Sequence, residues 1–481
     1  MRLRREDQMG YAYSERLSAL DATFLAVETA NVHMHVGSVQ IFDGTPLRTP
    51  EGGLDMERIR TLSEPALRRS ARFRQRLVRI PFSGHPVWVD DPRFNLDYHL
   101  RHTSLPEPGD LRQLKRLAGR IFSQKLDPER PLWEMWLVEG LGDGRFAMIT
   151  KIHHCMIDGV SGVDLLSGFM QRSADEAIEP PTGRWMARPA PTPTGLLTRE
   201  LARRAALPWQ ALGAGVRALR APGRALSATR EAIEAVGEAL GRGLATASLT
   251  PLNVAVGPHR RFDWTRIDLE AVKTVKKHLG GKVNDVVLAV VTGALRRFLE
   301  RRGVEPAGLD FRAMLPVDVR TGAQHGKLGN RIAFLMAPLP LDEKDPARRM
   351  ARVVETTKKL KATRTVRGGE LLEQLSDWTS GTLFAGLSQL AAQTRSYNVV
   401  VTNVPGPQFP VYMAGAHMEE IYPLVPLFAN QALGIAVFSY DGGLFWGFHA
   451  DWDTLPDLHD LVDLVQREFA SLCRLAAGGG S

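Results

Sequence analysis

Two adjacent histidines, His153 and His154, could perform acid–base chemistry. They belong to the segment Lys151–Gly162, which reads Lys-Ile-His-His-Cys-Met-Ile-Asp-Gly-Val-Ser-Gly. A neutral imidazole accepts a proton near neutral pH, because its ordinary pKa is about 6.5. Acyl transfer from a thioester to an alcohol needs such a base, since an unassisted hydroxyl is a weak nucleophile. The pair therefore predicts a general base, and Asp158 is close enough in sequence to fix the loop, through a histidine or through an ion pair elsewhere.

Other uses of these residues stay open from the residues alone. The histidines could be structural, or could ligate a metal with Asp158. A metal is disfavoured because His-Glu-x-x-His is missing and successive strand residues point to opposite faces. Cys155 could be a thiol nucleophile, but nothing near it in sequence indicates a lowered pKa. The chain has no Gly-x-Ser-x-Gly and no phosphate-binding Gly-x4-Gly-Lys-Ser/Thr segment, which disfavours an ordinary α/β-hydrolase and a P-loop enzyme.

A strand and a turn must position the histidine pair. Residues 146–152 form a strand-like run, and Asp158-Gly159 predicts a turn. Ser161 and Asp164 are then spaced as a capping box at the start of a helix. Loops at strand ends often carry catalytic side chains, because the scaffold fixes them while substrate can reach them.

Strand-like and helix-like segments alternate on both sides of this centre. Residues 433–439 and 444–450 flank Asp441-Gly442-Gly443, which predicts a β-hairpin. Residues 111–122, 286–299 and 346–361 have helical patterns. This mixture of helices and partly antiparallel strands predicts an α/β or α+β fold.

Length and composition set the frame for these elements. A chain of 481 residues with 44% hydrophobic and 24% charged residues is expected to form more than one globular domain. Its two cysteines suit a reducing cytosol. The basic N-terminus is not followed by an apolar core of signal-peptide length, and no uninterrupted apolar run reaches the ~18 residues of a spanning helix.

A composition change divides the chain. Pro- and Thr-rich sequence begins near residue 180, and the stretch from Arg184 to Arg242 contains ten arginines against four glutamates. We predict an N-terminal domain over 1–180, a basic helical connector over 181–250 and a C-terminal domain over 251–481. Pro208 and Pro222 predict that the connector forms short helices. Its charge could serve nucleic acid, anionic lipid or an anionic ligand, or could be a solvated face.

The segment His153–Gly159 matches the His-His-x-x-x-Asp-Gly motif of coenzyme A-dependent acyltransferases and condensation domains. Further segments narrow the resemblance, and the chain as a whole resembles the bacterial bifunctional wax ester synthase/acyl-CoA:diacylglycerol acyltransferase family. These further segments are Leu17–Leu25, Met34–Gly37, Leu126-Asp127, Arg130–Glu134, Pro251–Asn253, Arg260–Phe262, Asn284–Ala289, Leu315–Asp318, Gly329-Asn330 and Asn403–Pro407. They cover most of the chain outside the connector, in the family's order.

The resemblance implies two chloramphenicol acetyltransferase-like domains, built of mixed sheets flanked by helices, with an active-site tunnel between them. It makes His154 the general base, with His153, Asp158 and Gly159 in support. The base would deprotonate the acceptor hydroxyl, which attacks acyl-CoA without a covalent acyl-enzyme. Acyl-CoA would be a co-substrate, and no cofactor or metal is expected.

Five other residues of the family motifs are expected to have supporting roles. Asn284 and Asp285 stand directly before an apolar helix, where capping or interface support is favoured over direct chemistry. Pro131, Leu132 and Trp133 are expected to pack or to shape the tunnel.

Diacylglycerol is the expected acceptor, because the resemblance is nearest to the family's actinobacterial branch. Fatty alcohols would give wax esters by the same chemistry. We expect a cytoplasmic protein, peripheral to the membrane or to lipid inclusions, with no nucleic-acid partner. Two alternatives are a carrier-protein-dependent condensation enzyme and a non-enzymatic lipid-binding protein.

Overall fold

Two mixed six-stranded sheets carry most of the hydrophobic core. The computed structural model describes residues 12–156, 168–176, 185–219, 246–318, 332–362 and 395–478. Within these ranges, parallel and antiparallel strand pairs occur in both sheets, and helices pack against them. The predicted α/β class with mixed sheets is confirmed, while the tunnel between the two halves stays a prediction.

The elements are numbered in chain order. The helices are α1 (Ala19–Val27), α2 (Met56–Arg69), α3 (Leu96–His99), α4 (Leu111–Ser123), α5 (Pro193–Leu219), α6 (Leu269–Leu279), α7 (Val283–Arg301), α8 (Pro346–Ala362) and α9 (Leu458–Gly478). The strands of the first half are β1 (Glu15–Arg16), β2 (His35–Phe42), β3 (Gln75–Arg79), β4 (Pro86–Asp90), β5 (Leu100–Ser104), β6 (Trp133–Glu139) and β7 (Phe146–His153). Those of the second half are β8 (Arg260–Asp268), β9 (Arg312–Asp318), β10 (Ile332–Pro338), β11 (Val399–Pro405), β12 (Tyr412–Met413), β13 (Ala416–Leu424), β14 (Leu433–Tyr440) and β15 (Gly443–Asp451).

The first sheet has the order β12-β13-β2-β7-β6-β5. Strand β7 lies inside it, with antiparallel partners on both sides, and all its residues are buried. Burial of both faces explains why its first four residues, Phe146–Ile149, are all apolar instead of alternating with polar residues. The strand predicted over 146–152 is therefore confirmed, and it holds the chain firmly up to His153.

The second half of the chain contributes to this first sheet. Strand β13 pairs antiparallel with β2, from Met418 opposite Phe42 to Leu424 opposite Gly37, with a bulge after Met418. The boundaries predicted at 180 and 250 divide the chain into consecutive segments. The first sheet, however, contains strands from before residue 180 and from after residue 250. Separation of the halves would break the hydrogen bonds at the β2–β13 edge.

The second sheet has the order β10-β9-β11-β14-β15-β8. Strands β14 and β15 form the predicted hairpin, and its turn residues Asp441 and Gly442 have φ values of 38° and 73°. Positive φ at both positions is the geometry that a two-residue hairpin of this kind requires. Helix α7 packs against α8 and α9 beside this sheet, and most of its residues are buried.

A three-stranded sheet of order β1-β4-β3 stands beside the first sheet, and helix α5 packs on it through Leu196. Helix α5 continues through Pro208 to Leu219, so the prediction that Pro208 breaks the connector was wrong. An internal proline removes one helical hydrogen bond and costs about 3 kcal/mol. We attribute the continuity to the anchored first turns, where Leu196 and Glu200 are buried.

The capping prediction for Asn284 and Asp285 needs a correction in register. Helix α7 begins at Val283, so both residues lie inside its first turn, and Lys282 occupies the N-cap position. The Asp285 carboxylate accepts a hydrogen bond from the Lys282 backbone N–H (2.8 Å) and another from the Thr357 hydroxyl (2.8 Å). Asp285, at the third helical position (N3), thus accepts a hydrogen bond from the N-cap N–H, as an acidic residue does in a capping box. Its bond to Thr357 also links α7 to α8.

Candidate functional site

The histidine pair lies where β7 ends and a short 3-10 turn, His154–Met156, begins. The backbone N–H of His153 donates to the Leu132 carbonyl (2.9 Å), and that of His154 donates to the Met34 carbonyl (2.7 Å). Neighbouring segments on both sides of β7 therefore fix the backbone of the pair. Leu132 takes part through its carbonyl, which its apolar side chain could not have predicted.

His153 is 1% exposed and has a defined tautomer. Its Nδ1 atom accepts a hydrogen bond from the backbone N–H of Cys155 (3.2 Å), so the proton of the neutral ring belongs on Nε2. Nε2 lies 3.5 Å from Glu28 Oε1. This residue is therefore held between the turn that follows it and a carboxylate from the end of α1.

Glu28 was not singled out by the sequence analysis. Its carboxylate also contacts Lys125 Nζ (2.8 Å) and accepts a hydrogen bond from the Met34 N–H (3.4 Å). Burial alone favours the neutral acid, but His153 and Lys125 outweigh it and lower the pKa of Glu28. An ionised carboxylate is thus fixed behind His153. The available signal was its position directly after the Leu17–Leu25 motif, an acid at the end of an apolar helix.

His154 differs from His153 in its surroundings. Its ring stacks on Phe24, with centroids 3.9 Å apart and planes at 25°, and the residue is half-buried. Its Nδ1 atom is enclosed and has no hydrogen-bond partner among the described residues. Burial, and then the adjacent His153 ring, lower the pKa of His154 to about 4. The ring is therefore neutral near pH 7, which is the form that can accept a proton.

A buried ion pair stabilises β7, the strand that carries the two histidines. Lys151 is fully buried, and its Nζ lies 3.2 Å from Glu134 Oε2. The same ammonium donates to the carbonyls of Ile121 (3.1 Å) and Gln124 (3.0 Å) at the end of α4. All three of its N–H donors therefore have partners, as a buried charge requires.

Trp133 is buried, and the indole N–H donates to the Phe73 carbonyl (2.8 Å). Its ring stacks on His99 at 4.6 Å, and the Trp133 carbonyl accepts from His99 Nδ1 (2.8 Å). Pro131 and Leu132 are buried as well. The three residues thus lie in the core where β6 begins, and their tunnel-shaping role stays a prediction.

Two residues of the central motif, Asp158 and Gly159, lie outside the described residues, and so does the start of the helix that was expected after them. The structure places His153 and His154 together with Glu28. Asp285 is held instead by its bonds to the Lys282 N–H and to Thr357 of α8, and Asn284 precedes it in the first turn of α7.

Buried histidines extend the polar interior beyond the motif. The rings of His33 and His35 lie 5.3 Å apart, and those of His35 and His153 lie 6.1 Å apart. Both ring nitrogens of His35 and the Nε2 of His449 are buried without a hydrogen-bond partner in the described ranges. Burial lowers the pKa of His35 strongly and that of His449 to about 3. The sequence analysis missed this cluster, because His449 joins it from β15, far along the chain.

The described residues give no support to the metal or thiol alternatives, and Asp158, which the metal alternative includes, lies outside them. Within the described ranges, no group of three or more His, Cys, Asp or Glu side chains is arranged to hold a metal ion. Burial raises the pKa of the Cys155 thiol well above its ordinary value. A thiol in this form is a poor nucleophile.

A surface cleft of about 390 Å³ lies beside Gly44, Arg48 and Phe146. Phe146 begins β7 and His153 ends it, so at about 3.3 Å per residue the cleft lies some 23 Å along the strand from the histidines. We therefore place the candidate site at the histidine pair and not at this cleft.

Comparison with known proteins gives a consistent result. The model of the wax ester synthase/diacylglycerol acyltransferase catalytic domain matches residues 17–287, and that of the family's C-terminal domain matches residues 328–473. A Mycobacterium tuberculosis protein assigned as a diacylglycerol O-acyltransferase is 32% identical over 94% of this chain and 89% of its own length. Another from the same species is 29% identical over 96% of both chains.

Solved structures add the fold. The wax ester synthase/diacylglycerol acyltransferase of Marinobacter aquaeolei VT8 is 27% identical, with a TM-score of 0.67, and covers 96% of this chain and 100% of its own. The starter condensation domain of rhizomide synthetase is 14% identical, with a TM-score of 0.57 over 96% of this chain and 94% of its own. At that identity the second likeness concerns the fold alone.

Proposed function

Since the chain belongs to the wax ester synthase/diacylglycerol acyltransferase family, we propose that it moves a long-chain acyl group from acyl-CoA to diacylglycerol with His154 as the general base. The family makes it an O-acyltransferase. The observation that carries the choice of base is the neutral imidazole of His154, held at the end of β7 with its Nδ1 enclosed.

The reaction can be written with the protein's own groups. Nε2 of His154 takes the proton of the acceptor hydroxyl while the oxygen attacks the thioester carbonyl carbon. The tetrahedral intermediate then loses its C–S bond, and the imidazolium gives the proton to the departing thiolate. The products are an ester and coenzyme A. A buried imidazolium with a low pKa is a strong acid, so it returns the proton readily to a thiolate whose ordinary pKa is about 8.5.

His153 supports this step without being the base in our proposal. Its Nδ1 is occupied by the Cys155 N–H, and its Nε2 faces Glu28. Since Cys155 stays a thiol, direct transfer is favoured over an acyl-cysteine intermediate. The step needs only the two substrates and the protein, so we propose acyl-CoA as a co-substrate and no resident cofactor.

Diacylglycerol is the proposed acceptor, and the two Mycobacterium tuberculosis relatives assigned as diacylglycerol O-acyltransferases support this choice. A fatty alcohol gives a wax ester by the same chemistry. Efficient esterification of hexadecanol by an enzyme that ignored diacylglycerol would contradict the assignment of the acceptor.

We also propose that the protein works at the cytoplasmic face of a membrane or at lipid inclusions, because diacylglycerol resides in lipid. None of the described helices is long and apolar enough to cross a bilayer. Attachment would therefore use the surface of these elements.

The test is release of free coenzyme A from palmitoyl-CoA with diacylglycerol, with hexadecanol or without acceptor. We expect acceptor-dependent release in the wild type and a loss of about 10²–10⁴-fold in His154→Ala, the usual contribution of a general base. His278→Ala is the matched control, since His278 is exposed on α6. Folded wild type that used only acyl-carrier-protein thioesters would favour the condensation alternative. Release that was unaffected by His154→Ala would remove His154 as the base.

A further inference from the structure

The hairpin between β3 and β4 ends in an apolar side chain that faces solvent. Phe82 is 97% exposed, and its φ of 61° lies in the left-handed region. That region is unfavourable for a bulky residue. The Gly84 N–H donates to the Ile80 carbonyl (2.9 Å), and the Ile80 N–H donates to the His85 carbonyl (3.0 Å), so the tip has a defined shape. Phe82 therefore contributes nothing to the core of the described residues.

Helix α5 passes beside the closed end of this hairpin. Leu196 of α5 packs with Ile80 and Val87. One turn further on, Glu200 forms an ion pair with Arg16, which is paired with Val87 in the small sheet. The side chains of α5 that follow therefore lie near the end of the hairpin that carries Phe82.

The surface around this end is strongly basic. Besides Arg16, Arg203 (3.0 Å) and Arg204 (2.9 Å) bond to Glu200. These guanidinium groups overcome the effect of burial and lower the pKa of Glu200 to about 2. Three guanidinium groups thus gather around this one carboxylate. Arg79 adds a fourth at the hairpin, where its Nη1 donates to the Gly84 carbonyl (3.1 Å).

An exposed apolar residue accompanies the charges on the helix. Leu201 is 57% exposed and directly follows Glu200. Arg199 is also exposed, and its guanidinium donates to the Ala12 carbonyl (2.8 Å). The surface around this end of the small sheet, formed by Phe82, Arg79 and residues 201–204, thus combines apolar side chains with several arginines.

We propose that this surface docks the protein on an anionic lipid bilayer, with Phe82 entering the boundary between headgroups and acyl chains. Aromatic side chains favour that boundary, and each arginine near an anionic membrane surface strengthens binding about fivefold. Duplex nucleic acid offers the same negative charge but no apolar phase for Phe82. The inference rests on the proposed lipid acceptor, because a docked enzyme takes diacylglycerol from the bilayer.

The test measures sedimentation of the full-length protein with vesicles of phosphatidylcholine and phosphatidylglycerol, without substrate. Phe82→Asn is the informative variant, because asparagine tolerates a positive φ and the side chain has no contact to lose. We expect about tenfold weaker vesicle binding, the effect of withdrawing one aromatic side chain from an apolar phase. Phe82→Trp should retain the vesicle binding of the wild type. Vesicles of phosphatidylcholine alone should bind less of the protein. Leu249→Asn is the matched control, since Leu249 is 65% exposed in the second half of the chain.

Unchanged vesicle binding in Phe82→Asn would overturn the inference, and so would equal losses in Phe82→Asn and Leu249→Asn. Tight duplex DNA binding that was unaffected by Phe82→Asn, with no vesicle binding by the wild type, would do the same. The proposed function is assayed separately, by coenzyme A release with diacylglycerol in detergent micelles. There Phe82→Asn should equal the wild type, while on vesicles it should be slower. Inactive wild type that still bound vesicles through Phe82 would contradict only the proposed function.

Discussion

Glu28 Oε1 lies 3.5 Å from His153 Nε2, which joins the end of the first helix to the end of the strand that carries both histidines. This contact distinguishes the roles of the two histidines, His153 and His154. His153 Nδ1 accepts from the Cys155 N–H, while its Nε2 faces the Glu28 carboxylate without a hydrogen bond among the described residues, whereas His154 is neutral and partly accessible. His153 thus has a supporting role, and its orientation determines the position of His154.

Replacement of Glu28 by glutamine should reduce kcat/KM about tenfold, or about 1.4 kcal/mol, since it removes the carboxylate charge that pairs with Lys125 (2.8 Å) and faces His153 (3.5 Å). The amide can still accept a hydrogen bond, so Glu28→Ala should be slower than Glu28→Gln. A positioning role predicts that kcat falls more than KM rises, which steady-state coenzyme A release can measure. Glu355→Gln, at an exposed ion pair on α8, should behave as the wild type. An equal loss in that control would refute the specific role of Glu28.

The pH dependence of kcat/KM should report the low pKa of His154. A free histidine would lose activity as the pH fell through about 6.5. Here burial lowers the pKa of His154 to about 4, so the acid limb should lie near pH 4 and activity should stay nearly constant from pH 8 to about 5.5. Coenzyme A release in short assays, with folding checked at each pH, provides the measurement. A midpoint near 6.5 would show that the imidazolium is not disfavoured in the free enzyme.

Stability should fall on mild acidification because of buried histidines. The pKa values of His85, His99 and His154 are lowered to about 4 and that of His449 to about 3, in each case chiefly by burial. Between pH 6.5 and 4 the unfolded chain binds protons that the folded chain does not. The free energy of unfolding therefore increases as the pH rises across this window and decreases as the pH falls. The change is about 1.4 kcal/mol per pH unit for each such proton.

The measurement is Tm as a function of pH between 8 and 4.5. His85→Gln should reduce the pH dependence by about one proton, because its ring is buried and its Nε2 donates to the Leu17 carbonyl (3.1 Å). The exposed His278 provides the control, and His278→Gln should leave the slope unchanged. A Tm that stayed constant from pH 7 to 5 would contradict this account.

The buried pair of Lys151 and Glu134 should be costly to break. Lys151→Met leaves the Glu134 carboxylate with Arg101 (3.4 Å) and the Trp136 indole N–H (3.1 Å) but without its buried cation, so we expect a cost near the lower end of the about 3–5 kcal/mol of a broken buried pair. The double variant Lys151→Met/Glu134→Leu should regain part of this, because no charge is then stranded. Urea unfolding measures all three proteins, with the exposed Lys359→Met expected within about 0.5 kcal/mol of the wild type. A double variant less stable than the single one would contradict the argument.

The sequence predicted the catalytic segment better than it predicted which residues contact that segment. The apolar run before His153 and the Asp441-Gly442 turn follow from local rules, so β7 and the hairpin were predicted. The approach of Glu28 to His153 depends on how α1 packs, which periodicity does not encode. Strand β13 shows the same limit, since alternation indicates a strand but not the sheet it joins. The wrong register at Asn284 has another cause, because an aspartate suits both the N-cap and the N3 position.

Gly37 should be the most sensitive small residue near the site. It lies on β2 opposite Lys151 in register, and a Cβ added there would stand 2.0 Å from the Thr150 carbonyl oxygen. Backbone cannot move aside as a flexible side chain does, so Gly37→Ala must separate β2 from β7. Overpacking of this kind costs about 1–3 kcal/mol and sometimes more.

That separation would also act on the site, because His35, two residues before Gly37, is paired with His153. We therefore expect Gly37→Ala to lower both Tm and kcat, the latter even at temperatures where the protein stays folded. Gly53→Ala is the matched control, because the nearest atom to its added Cβ is 3.7 Å away on the Glu139 side chain. Thermal unfolding and coenzyme A release on the same samples separate the two effects. Full kcat in a destabilised but folded Gly37→Ala would show that the β2–β7 spacing does not position the histidines.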